Sequence, residues 1–316
     1  MNSSSYNYSV SGGLSDQLII AAAKNVIVLA LGITINYING MLILTFRKHQ
    51  VFYVNPRYIL FIHLVVNDVI QLTTSASLFV IGYVLYKINA SLCCLLISLA
   101  IFTTMNTPLN LAVMAVECYV AVCFPLRHAE LCTVKRTYIL IGCVWTLSSV
   151  TVLPEIFILL ATDPLWLVYS SIICLRENLY LHPVSVQIRQ IVYLMYLIGV
   201  WFVLFFTYIK IFVAAQAANS ADGKEKKARN TVLLHGFQLL LCMLTYVDPM
   251  IKTGLMRLFP KYAEEVRFVW YVFVHILPRF ISPIVYGLRD KTFKQYLKKH
   301  LSCIIRPVSK LHPNSI

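Results

Sequence analysis

Four ionisable side chains stand inside or against apolar sequence, at positions where their only chemistry is pairing, proton exchange or switching. His63 and Asp68 interrupt Tyr58 to Tyr86, Glu117 closes the charge-free run Ile88 to Val116, and Arg279 interrupts Val266 to Leu288. A charge in such a setting must pair, neutralise or reach water, because leaving it unpaired is costly. Covalent catalysis has no comparable footing. No Ser/His/Asp or Cys/His constellation is visible, and the nine cysteines are scattered singly apart from Cys93 and Cys94, without zinc-type C-x-x-C spacing. The sequence therefore predicts neither an enzyme nor a cofactor nor a metal site.

What positions these residues is a membrane. Of 316 residues, 59% are hydrophobic and 13% charged, whereas soluble domains carry roughly a quarter charged residues. Asn25 to Phe46, Ile88 to Val116, Thr137 to Pro154, Gln190 to Ile209 and Asn230 to Val247 contain no Asp, Glu, Lys or Arg. A helix needs about 20 mostly apolar residues to cross the hydrocarbon core. With Tyr58 to Tyr86 and Val266 to Leu288, the segments predict seven helical spans. Helices and closed barrels are the two ways to satisfy a backbone in lipid, and the alternating ten-residue strands of a barrel are missing. The expected fold is an all-α membrane protein, a seven-transmembrane helix bundle over residues 25–288. Residues 1–24 form an outer N-terminal segment and residues 289–316 an inner tail.

Eighteen of the 27 basic residues fall on one side of this arrangement, among them Arg47, Lys48, Arg57, Arg127, Lys227 and Lys294. The positive-inside rule puts that side in the cytoplasm and the N-terminus outside. The net charge of +14 is thus a topology signal, and no nucleic-acid partner is expected. Glycosylation sequons at Asn2, Asn7 and Asn89 all fall on the outer side. Met1 to Asp16 is polar, so the first span is expected to direct insertion. On the oxidising outer side Cys93, at the mouth of the third span, and Cys174, between the fourth and fifth, make a plausible disulfide, with Cys94 as a rival partner. In "DKTFKQYLKKHL" Phe293 and Leu297 are spaced i,i+4 with lysines on the other faces, the pattern of a short amphipathic helix on membrane lipids.

Seven spans fit a receptor, a transporter or a channel. A transporter usually shows internal repeats; no self-similarity is visible, seven is an awkward count for two equal halves, and no selectivity loop is present, which disfavours the last two. At this point a resemblance enters. Asn39 followed by "GMLIL", Asp68 in "LVVND", Cys93 placed 25 residues before Cys118, Trp145, Tyr208, and "SPIVY" from Ser282 to Tyr286 resemble, in order, the landmarks of rhodopsin-like (class A) G-protein-coupled receptors. More narrowly, "MAVECYVAVCFPLRH", "KARNTVLLH" and "SPIVYGLRDKTFK" resemble motifs of odorant receptors, with a fish-type flavour in "FPLRH" and "PRYILFIHLVVND".

The resemblance implies a receptor for a small-molecule odorant that signals through a heterotrimeric G protein of the stimulatory olfactory type, raising cAMP, in the plasma membrane of olfactory neurons. The alternatives are a class A receptor for another small molecule outside the olfactory epithelium, and a transport or lipid-moving protein. By position it places the ligand pocket at Ala100, Ile101, Thr104 and Met105, at Arg189, Val192, Tyr193 and Tyr196, at Met243, Tyr246, Val247 and Met250, and at Phe268, Val272 and His275. Ala100 offers an amine no counter-ion, which leaves Asp248 of the sixth span as the alternative, and the seventh span has no lysine for a retinal Schiff base. Base on the outer rim (Arg176, Arg189, Lys252, Arg257, Arg267) admits an acid-bearing ligand.

Switch positions implied by the family are Asn39, Asp68, Thr107, Glu117, Cys118, Tyr119, Tyr208, Arg279, Ser282, Pro283 and Tyr286. Two depart from its pattern. Cys118 stands where the family has an arginine, so Glu117 is expected to find another partner among His63, Arg127 and His128, or to meet interfacial water. Arg279, one turn before Pro283, is expected opposite Asp68, with Thr107 and Ser282 nearby.

Overall fold

The structure is a computed structural model that describes residues 3–85, 87–162, 164–180, 182–217, 237, 240, 244, 251–252, 254–281 and 291–305. Long helices dominate: α1 (Ser3–Lys48), α2 (Pro56–Val84), α3 (Ala90–Cys123), the one-turn α4 (His128–Leu131) and α5 (Val134–Thr162). The outer loop contains α6 (Pro164–Tyr169) and α7 (Arg176–Leu179), and α8 (Pro183–Ala217) follows it. After a 3₁₀ turn at Pro260–Tyr262 come α9 (Ala263–Tyr271) and the final α10 (Lys291–Ile305). Five of these, α1, α2, α3, α5 and α8, are long and apolar enough to cross a membrane. Most of the sixth expected span lies outside the described residues. The seventh is described to Ile281: α9 passes through a π turn at Val272–Ile276 into regular helix.

Local chemistry explains the helix starts. Asn55 caps α2, its side chain accepting from the Arg57 amide at 3.0 Å with Pro56 in the first turn. Asn89 caps α3 in the same way, accepting from Ser91 at 2.9 Å. Pro108 lies within α3 and Pro154 within α5 without ending either. That second proline matters: a fourth span closed at Pro154 omits Glu155, which α5 carries into the bundle. The outer segment expected before Asn25 is helical from Ser3 onward, continuous with the first span.

Polar groups lie within the packing, and large apolar groups face outward as well as inward. Asn39, Asn67, Asp68, Thr107 and Asn110 are buried, while Ile33, Phe157 and Phe202 are among the large apolar groups on the outside. An exterior of this kind suits lipid, where burying greasy surface between helices gains little and buried polar groups must satisfy one another. A large apolar cluster joins α1, α2, α3, α5 and α8. A smaller one (Val28, Ile35, Leu72, Ile276) ties the seventh span to α1 and α2.

Candidate functional site

At the outer end, Ile88–Asn89 and Ser171–Ile172 pair as a two-stranded antiparallel ribbon, Ile88 opposite Ile172. Just beyond, Cys93 and Cys174 are disulfide-bonded with Cα atoms 5.5 Å apart, and Cys94 is a free buried thiol. Cys94 instead lies 3.6 Å from the Tyr180 hydroxyl, which also meets Ser98 at 2.9 Å. Burial pushes the Tyr180 hydroxyl pKa well up, so it stays protonated. The outer loop is thereby strapped to the top of α3. Asn89 is solvent-exposed, but its side-chain amide donates to the Val168 carbonyl at 2.8 Å, so the nitrogen that a glycan would use already braces the loop.

Beneath this strap lies an acid that the sequence reading passed over. Glu155 is 2% exposed and accepts from Arg176 Nη2 through both oxygens, at 2.8 and 3.0 Å, with Arg189 Nη1 4.0 Å away. Arg176 also donates to the Tyr193 hydroxyl and lies over that ring. Burial opposes the charge on Arg176, but Tyr193 and Glu155 outweigh it and raise its pKa. The signal that could have found this cluster was an acid one residue past a charge-free run, on a helix that a proline need not end.

On the opposite side of the bundle is a cavity of about 250 Å³. Phe79, Phe268, Trp270 and Tyr271 form aromatic walls, and Lys24, Lys252, Arg267 and His275 supply the polar lining. Of the pocket positions taken from the resemblance, Phe268 and His275 line this space. Val272 packs with the smaller apolar cluster. The third-span positions face inward differently: Met105 and Ile101 are core, and Thr104 accepts a 2.6 Å hydrogen bond from Gln71. Tyr196 donates to the Leu147 carbonyl of α5, Tyr193 and Arg189 belong to the Glu155 cluster, and Ala100 and Val192 are half-buried. Met243, Tyr246, Val247 and Met250 lie outside the described residues, as do Asn2, Ser282, Pro283 and Tyr286. Asn7 is described only as part of the α1 backbone. Lys24, Phe79 and Tyr271 were not expected; an aromatic or a lysine near a span end carries no distinguishing mark in sequence.

Below the cavity a polar network crosses the bundle. Arg279, one turn past His275, is 2% exposed. It donates through Nη1 to the Val274 carbonyl at 2.8 Å and through Nε to Gln71 Oε1 at 3.3 Å. Gln71 sits one turn from Asp68 on α2 and also accepts from Thr107, 3.4 Å away. Asn67 donates to Thr107 Oγ1 (2.9 Å) and the Thr103 carbonyl (3.0 Å). Of the hydrogen bonds described for Arg279, one runs to the Val274 carbonyl and the other to Gln71, a residue the sequence does not single out. Further in, Trp145 Nε1 donates to His63 Nε2 at 2.8 Å, so the proton of this imidazole resides on Nδ1, which faces Asn110 Oδ1 at 3.2 Å.

At the inner end Glu117, 7% exposed, receives two partners from different elements. Arg57 at the start of α2 donates through Nε at 3.2 Å and Nη2 at 3.5 Å, and His128 Nε2 of α4 lies 3.1 Å away. Of the three partners expected, His128 is in contact, His63 is engaged with Trp145 and Asn110, and Arg127 is exposed on the turn. Arg57 was missed because nothing in linear spacing brings residue 57 to residue 117. Tyr119, two residues on, packs edge-on against Phe124 and Phe206.

The family described as 7 transmembrane receptor (rhodopsin family) matches residues 38–299. Odorant receptor 131-2 of Danio rerio is 32% identical over 269 residues, 84% of this chain and 82% of that protein. The human Olfactory receptor 56A3 is 26% identical over 60% of this chain and 61% of its own length, and Olfactory receptor 13D1 is 26% identical over 61% and 56%.

Proposed function

The chain belongs to the rhodopsin family of seven-transmembrane receptors, among the odorant receptors, and from that premise we propose that it binds a small odorant in the outer half of the bundle and activates a stimulatory, olfactory-type G protein to raise cAMP. In this reading the N-terminus, the disulfide strap and the sequons at Asn2, Asn7 and Asn89 face the exterior of an olfactory sensory neuron. The inner basic segments and α10 meet the G protein and lipid headgroups.

The observation that carries the reading is continuity. His275 and Tyr271 line the outer cavity, and Arg279, one turn below, bonds Gln71 of α2, which is bonded in turn to Thr104 and Thr107 of α3. A ligand that displaces the seventh span's π turn biases a hydrogen-bonded contact among three helices, which is how a binding event shifts a bistable bundle. π turns are often found at functional sites, where they leave the backbone room to adjust. At the other end, Glu117 ties α3 to α2 and α4 through Arg57 and His128. It takes over the resting restraint that the family assigns to an arginine where this chain has Cys118.

Transfected cells carrying a cAMP reporter and exposed to water-soluble odorants test this. A dose-dependent rise with at least one odorant is expected, abolished in Arg279→Ala at equal surface expression. A receptor that reaches the surface, stays silent to all of them and leaves basal cAMP untouched would remove the proposal.

A further inference from the structure

The five bases of the outer rim are not equivalent. Arg176 and Arg189 converge on Glu155, which takes Arg176 with both carboxylate oxygens and lies 4.0 Å from Arg189, so one carboxylate answers one of these two charges. The cavity between α1, α2 and the seventh span is different. Lys24, Lys252 and Arg267 line it, and no acid is among the described residues that do. The Lys24 ammonium lies 5.7 Å from the Phe268 ring centroid, the one interaction described for it. No ion pair among the described residues involves Lys24 or Lys252. Tyr271, in the cavity wall, has a buried hydroxyl with no hydrogen-bond partner among the described residues.

Charge of one sign in a concave, low-dielectric cleft focuses its field and raises the local concentration of the opposite ion. A buried hydroxyl without a partner marks a place where an acceptor is missing. We propose that this cavity is an anion-binding site for a small monocarboxylate, its two oxygens held by Lys24, Lys252 and the Tyr271 hydroxyl, and its short apolar body against Phe79 and Phe268. The ligand class follows from the walls. The Lys24 and Lys252 ammonium groups repel an amine, and a neutral odorant leaves their charge unanswered. A volume of about 250 Å³ lies just below the roughly 300–1,000 Å³ of pockets for drug-sized ligands, which limits the body to a phenyl ring or a short chain. The inference rests on the receptor reading only for its biological meaning. The site itself stands on charge and shape.

The test uses the full-length receptor in phosphatidylcholine nanodiscs. The probes are 3-phenylpropanoate and the alkyl carboxylates from butanoate to decanoate, each beside its primary alcohol, read by ligand-induced rise of the unfolding midpoint. At least one acid is expected to bind more than about tenfold tighter than its alcohol. Lys252→Gln and Lys24→Gln should each weaken that acid by about tenfold. Lys252→Arg should retain it, and Arg257→Gln, a rim base outside the cavity, should leave it unchanged.

Acids and alcohols binding alike, or no acid binding at all, overturns the proposal. So does loss of the acid in Arg189→Gln with Lys252→Gln unaffected, since the anion would then sit at the Glu155 cluster. Displacement of the acid by phosphatidylglycerol in the disc would assign the charge to a lipid headgroup and overturn it as well. Acid binding without any cAMP response leaves the site standing and removes the signalling reading. A cAMP response to neutral odorants, with acids and alcohols bound alike, does the reverse.

Discussion

Glu117 holds three segments with one carboxylate, and its two partners differ in what their removal should do. Arg57 is half in water, so Arg57→Ala is expected to cost only about 1 kcal/mol of stability while raising basal cAMP. Glu117→Gln should raise it similarly, and the double variant should add little to either. A double-mutant cycle with additive effects would separate the two residues. Glu155 is the harsher case. Glu155→Gln leaves Arg176 without its charged partner and should cost roughly 3 kcal/mol, the low end for a buried pair because Arg176 keeps some solvent contact. The unfolding midpoint of the purified receptor measures it, and a paired Glu155→Met, Arg176→Met replacement should recover part of the loss.

A third expectation concerns Cys132 on the inner loop. Burial raises its thiol pKa and Glu117 adds to this, while Arg136 and Arg57 pull the other way. A raised pKa means less thiolate at neutral pH. Maleimide labelling of Cys132 should therefore lag an exposed reference thiol at pH 7 and close the gap as pH rises. Glu117→Gln should narrow the lag at fixed pH.

Among the elements, the outer strap shows what linear reading can and cannot reach. The compartment and the position of Cys93 and Cys174 were enough to name a disulfide, but not to choose between Cys93 and its neighbour. The choice comes from the helix. Successive residues on α3 point about 100° apart, so one thiol faces the loop while the other turns toward Tyr180 and Ser98. Cys93→Ser or Cys174→Ser should cost on the order of 2–5 kcal/mol and much of the surface expression, whereas Cys94→Ser should be mild. Equal damage from all three would contradict the pairing. The helix ends were less legible. Asn55 and Asn89 are ordinary capping signals, yet α5 passes through Pro154, and a proline in a membrane span need not end it when other groups satisfy the freed backbone. That is why Glu155 fell outside the expected span. Gln71 and Arg57 were invisible for a related reason: their roles come from helix–helix register.

For the whole molecule, composition and runs of uncharged residues sufficed for the membrane class, and ordered landmarks sufficed for the family, because lipid imposes its rules on every span. The location of the cavity was not legible. The resemblance spread the ligand over the third, fifth, sixth and seventh spans, and the structure adds a cationic space walled by α1 and α2. Topology remains open to a direct check: an epitope tag before Ser3 should be reached by antibody on intact cells and one after Ile305 only after permeabilisation.

Phe52 and Tyr58, beside the first inner turn, pack against Phe293 of α10 with ring centroids 5.1 and 6.3 Å away, and Tyr296 lies 4.4 Å from His49 and 5.5 Å from Phe52. The first half of this knot leaves the ribosome about 240 residues before the second. At about 5–20 residues per second, Phe52 waits roughly ten to fifty seconds for its partner, with its ring available to chaperones throughout. Closure of the knot therefore requires that synthesis has run through α10, and a chain halted before Lys291 leaves these rings without their partners.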